Sequence, residues 1–170
     1  GLDSKELGNP PSRFERVFRR AREEGFIAVA HAGEEAPAEY VWEAIRLLKV
    51  ARIDHGYHMF EDPSLVSYVA QNRIPVTMCP LASVAVEYFK DIKDVPVKRA
   101  LDLGIMVSIN SDDPAYFGGY INENYYQVAI KQSLTKEEIV KIARNSIASS
   151  FLSEGEKERL LRELKSYSKL

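Results

Sequence analysis

The chain has 170 residues, 45% hydrophobic and 28% charged, with a net charge of −2 at pH 7. That composition suits one soluble globular domain with a well-filled core and excludes the concentrated basic face that nucleic acid demands. No apolar run is long enough to span a membrane, no signal peptide is read ahead of the first element, and the lone cysteine, Cys79, suits a reducing cytoplasm.

Helix and strand patterns alternate along the first two thirds. Phe14, Val17, Phe18 and Ala21 keep helical spacing up to Gly25. Phe26 to His31 is then a short apolar run, expected to be a strand buried on both faces of a parallel sheet. Val41, Ala44, Ile45 and Leu48 mark a second helix, followed by a strand at 51–54. A helix over 62–72 leads into a strand at 74–79. Pro96 opens another helix, closed by Gly104 before a strand at 105–109. Beyond it the pattern is helical. Thr135 with Glu138, and Ser153 with Glu156, have the spacing of capping boxes, and a last helix is expected over 156–167. The reading is a single α/β domain over 1–170, with βα units and following helices to 152 and a C-terminal helix from 153.

Every strand candidate ends in polar or special residues: His31-Ala-Gly-Glu34, Asp54-His55-Gly56, Cys79-Pro80 and Ser111-Asp112-Asp113-Pro114. Strand ends of a parallel sheet share one rim, so these groups are expected to converge. A histidine there can offer a nitrogen to a metal, and Gly33 lets the chain bend so that Glu34 returns over it. Metal and carboxylate together suit activation of water, the metal lowering its pKa and the carboxylate moving its proton. A backbone-satisfied His31 with Glu34 in solvent is the plainer alternative. His55 can bind metal, orient a nucleophile or serve as a cap, and His58 reads as a surface residue. Of Asp112 and Asp113, one suits a metal and the other a substrate, although Asp-Asp-Pro also opens helices well.

Taken in order, His31-Ala-Gly-Glu34, Arg52-Ile-Asp-His55-Gly56, Cys79-Pro80-Leu81 and Ser111-Asp112-Asp113-Pro114 resemble the adenosine/adenine deaminases. Gly1-Leu-Asp-Ser4, Asn9-Pro-Pro11 and the stretch from Asp112 to Tyr120 are more similar to the adenine deaminase branch. The resemblance implies the C-terminal half of a (β/α)8 TIM-type barrel, with about four to five parallel strands and C-terminal helices. It implies Zn2+ held by His31 and Asp112, with a His-x-His pair on the missing first strand as the other ligands. Glu34 would protonate the purine ring nitrogen, His55 would orient the attacking hydroxide, and Asp112 would serve catalysis through the metal. Asp113, Gly33, Asp3, Ser4 and Glu6 would lie against the purine.

Two departures accompany the resemblance. The only histidines are His31, His55 and His58, so no His-x-His pair is present, and Leu81-Ala-Ser83 stands where the family tends to have Leu-Ser-Asn. A half-barrel has open sheet edges. The expected partner is therefore a separate N-terminal half or a second copy, together with a small purine substrate, and neither nucleic acid nor membrane. The alternatives are a non-catalytic, self-associating half-barrel scaffold and another metal-dependent amidohydrolase.

Overall fold

The structure is a computed structural model that describes residues 1–169. Its contacts gather into two compact units, residues 1–78 and residues 79 onward.

In the first unit, Leu2 forms a parallel bridge with Ala30. A 3-10 turn, Pro11–Phe14, runs into helix α1 (Glu15–Glu23). Strand β1 (Val29–Ala32) follows, then α2 (Ala38–Glu43), which widens into a π turn over Ala44–Leu48. Strand β2 (Arg52–His55), a 3-10 turn (Tyr57–Glu61), α3 (Pro63–Gln71) and β3 (Val76–Met78) complete it. The three strands are parallel in the order β1-β2-β3, with Val29 opposite Arg52 and Ile53 opposite Val76. α3 starts at Asp62, whose carboxylate accepts from the Ser64 and Leu65 amides, with Pro63 at the first helical position where no N–H is missed.

β1 begins later than its apolar run suggests. Phe26 and Ile27 are 66% and 57% exposed, and pairing starts only at Val29, opposite the first residue of β2. A second correction concerns burial. β1 and β2 alternate buried and half-buried residues and are not closed on both faces. Ala30, Ala32 and Ile53 face the core, whereas His31, Arg52 and Asp54 lie on a half-open polar face. Asp54 Oδ1 accepts from Arg52 Nε at 2.9 Å and Thr77 Oγ1 at 2.8 Å, linking side chains of all but the first of these strands.

The second unit holds α4 (Pro80–Ala85), α5 (Val97–Asp102), β4 (Val107–Ile109) and four further helices. These are α6 (Pro114–Phe117), α7 (Ile121–Lys131), α8 (Lys136–Ala148) and α9 (Glu154–Tyr167). β4 is buried throughout, as its apolar run implies, and Val107 O accepts from Asn145 Nδ2 of α8 at 3.0 Å. Both capping boxes are formed, and the last helix starts at Glu154 because Ser153 is its cap. Among the described residues, no helix is long and apolar enough to cross a membrane.

Candidate active site

His31 is the third residue of β1 and His55 the last of β2. In the parallel register His31 stands opposite Asp54, and His55 opposite Ala32. Strict alternation would therefore put the two imidazoles on opposite faces of the sheet. They nevertheless meet edge-to-face, ring centroids 4.5 Å apart at 84°. The backbone supplies the reason: His55 has φ 70° and Gly56 φ 67°, both left-handed, so the strand leaves its pleat at His55 and carries the ring over the rim. A left-handed histidine is strained backbone of the kind that clusters at functional sites.

Gly33 makes the matching turn after β1, with φ 73°. A Cβ there would run into the Val41 side chain of α2, so only glycine permits this path. The turn returns Glu34 over the strand ends, with Oε1 3.3 Å from His55 Nδ1 and Oε2 3.9 Å from His31 Nδ1. Ligand atoms of His31, Glu34 and His55 all lie within 4.8 Å of one another. The His55 side chain is 3% exposed, and its Nδ1 lacks hydrogen-bond geometry to any described protein group despite the nearby carboxylate. Burial pushes its pKa down to about 4, with the neighbouring His31 adding to the shift and Asp54 opposing it. At neutral pH His55 is thus a neutral imidazole. A buried, neutral imidazole nitrogen beside His31 and a carboxylate can either ligate a zinc or similar divalent ion or orient a water next to one.

Beside His31 lies a pocket of about 230 Å³ whose walls include Asp3, Ser4, Glu6, Phe14 and Tyr40. The Leu2 amide donates to Val29 O and the His31 amide to Leu2 O, which pins this first segment along the edge of β1. Asp3 and Ser4, expected at the purine, are exposed, and Ser4 is left-handed at φ 70°. Glu6 is only 6% exposed, and its Oε2 accepts the amides of Glu34, Glu35 and Ala36 at 3.0, 2.8 and 2.8 Å. That engagement leaves no signal in the sequence, since Glu6 and Glu34 are 28 residues apart. Phe14 and Tyr40 likewise carry no signal in the sequence that marks them as pocket walls.

His58 is half-exposed, with Nδ1 2.8 Å from Glu61. In the second unit, Asp112 and Asp113 follow β4 and are both exposed. Asp112 is left-handed at φ 56°. Asp113 takes the capping position of α6, yet its carboxylate makes no capping bond, so helix initiation does not occupy it. Cys79 is buried just ahead of α4, and Ser83 Oγ donates to its carbonyl.

Comparison with known proteins gives a consistent picture. A family model described as adenosine deaminase matches residues 1–167. Adenine deaminase of Acinetobacter baylyi is 51% identical over 164 residues, 96% of this chain and 49% of that protein. The crystal structure of adenine deaminase from Arthrobacter aurescens superposes with a TM-score of 0.98 at 45% identity, covering 100% of this chain and 52% of its own. An amidohydrolase from Burkhoderia ambifaria, with bound Zn, gives a TM-score of 0.89 at 26% identity over 98% of this chain and 47% of its own. The chain spans about half the length of the relatives it matches.

Proposed function

The chain belongs to the adenosine deaminase family, and from that premise we propose that it supplies the C-terminal half of a (β/α)8 barrel that hydrolytically deaminates adenine. The observation that carries this reading is the meeting of Glu34 with the two imidazoles at adjoining strand ends. The chain spans about half the length of the adenine deaminases it matches, so the rest of such a site would lie outside residues 1–170. In this reading residues 1–170 act as one half-barrel domain working in the cytoplasm.

His31 and Asp112 would hold Zn2+, the remaining ligands coming from a first strand this chain does not carry. When bound, the ion supplies a Lewis acid that makes water nucleophilic near neutral pH. Glu34 holds a proton and delivers it to the purine ring nitrogen next to the amine-bearing carbon, raising that carbon's electrophilicity. Neutral His55 orients the attacking oxygen and is kept neutral by its burial. Asp113 accepts from the imidazole side of the base, while Gly33, Asp3 and Ser4 line its edge. The balance is adenine plus water to hypoxanthine plus ammonia: the C–N bond to the amine breaks and a C–O bond forms.

Ammonia release decides it. The purified chain with zinc is assayed on adenine and adenosine, alone and with a deaminase N-terminal half. Release from adenine only on complementation is the expected result. A stable self-associated oligomer that releases ammonia in neither arrangement would establish the scaffold instead.

A further inference from the structure

Glu6 ties the first segment of the chain to the loop that carries Glu34. Its Oε2 alone receives three successive backbone N–H groups, those of Glu34, Glu35 and Ala36, all within 3.0 Å. Consecutive amides converging on one anionic oxygen form a nest, and charge-assisted bonds of this kind are about twice as strong as neutral ones. The other oxygen, Oε1, is buried without a partner among the described residues. Burying half a carboxylate unsatisfied is costly, so packing alone does not account for a glutamate here. The segment that delivers Glu6 is itself anchored on β1 through Leu2 and contributes Asp3 and Ser4 to the pocket wall beside His31.

We propose that Glu6 is a positioning residue: by clamping the amides of 34–36 it holds the Glu34 carboxylate where it can exchange a proton with the substrate. This rests on the deaminase reading of the same site. It gives Glu6 a task distinct from touching the purine, and it makes the pocket wall and the proton-carrying loop one mechanical piece. The clamp grips the loop directly after it leaves β1 through the left-handed Gly33. A displacement of about 1 Å at a reacting group costs on the order of 10²-fold in rate.

The test compares wild type with Glu6→Ala, Glu6→Met and Glu6→Gln. Amide hydrogen exchange is measured on the chain, and kinetics on the completed barrel. In Glu6→Ala the amides of Glu34, Glu35 and Ala36 should exchange much faster, while the Ile53 amide, bonded to Pro75 O, stays protected. The turnover number should fall about 10²-fold with KM little changed. Glu6→Gln, which keeps an acceptor oxygen, should recover most of both. If Glu6→Ala unfolds, seen as loss of Ile53 protection, Glu6→Met fills the volume without an acceptor and carries the same comparison. Unchanged exchange at 34–36 in a folded variant, or unchanged turnover, overturns the proposal. A wild type that releases no ammonia removes the deaminase reading, and exchange alone then upholds or overturns the clamp.

Discussion

Nδ1 of His55 lies 3.3 Å from Oε1 of Glu34, although strand register assigns His55 to the face opposite His31. Two left-handed turns, at Gly33 and at His55, undo the pleat at the ends of β1 and β2 and bring the three side chains together. Proton transfer is the chemistry this contact suits. In the completed barrel, Glu34→Gln should lower the turnover number by about 10²–10⁴-fold with KM little changed. Steady-state ammonia release measures it, with metal content determined alongside so that loss of the ion is separated from loss of the proton carrier.

The Gly33 turn should be intolerant of any side chain. Gly33→Ala combines a φ of 73° with a collision against Val41, and the expected loss is about 2–4 kcal/mol of stability. Urea unfolding followed by circular dichroism gives the value. Adding Val41→Ala relieves the collision but leaves the backbone strain, so the double variant should recover only part of the loss.

Asn124 performs a comparable structural task in the second unit. Fully buried, it accepts the Leu81 amide at 3.1 Å and donates to Tyr120 O at 3.1 Å and Gly119 O at 3.4 Å. These bonds hold Gly119 against Leu81, where a Cβ would clash. Asn124→Ala removes the acceptor of the half-buried Leu81 amide and the donor to the Gly119 carbonyl, while Tyr120 O keeps the residue-124 backbone N–H, and a loss of about 1–3 kcal/mol is expected in thermal or urea unfolding.

Acid should report on the start of α3. Asp62 has its pKa lowered to about 2, chiefly by the Ser64 hydroxyl and then by the Trp42 indole N–H, against an ordinary value of 3.8. Its folded-state pKa is depressed, so the stability it contributes is present above 3.8 and is lost as pH falls through about 2. Trp42 is the sole tryptophan, with Nε1 2.8 Å from Asp62 and Arg46 stacked 3.9 Å from its ring centroid. Its fluorescence should therefore change with a midpoint near 2. In Asp62→Asn that transition should be missing.

Much of the fold was legible because its signals are local. The βα alternation, the Asp62–Pro63 helix start and both capping boxes depend on residues within a few positions of each other. Strand limits were read less well. The Phe26–His31 run is apolar, yet a strand begins only where a neighbour offers its backbone, and that neighbour begins at Arg52. The half-open face with Arg52, Asp54 and Thr77 was missed for the same reason: an apolar run does not say which of its faces a partner will cover.

At the site, the residue types were determined by sequence alone: a histidine and a glutamate three apart across a glycine, a second histidine before a glycine, and an acid pair after an apolar strand. Those residue types set which proton and metal affinities are available, because such affinities belong to side chains. What only the tertiary structure decided is where the groups stand. The backbone twist at His55 brings two imidazoles into contact, and Glu6 reaches 28 residues along the chain to clamp the loop of Glu34. Both depend on dihedral angles and on contacts between distant segments, which arise only when the chain closes on itself.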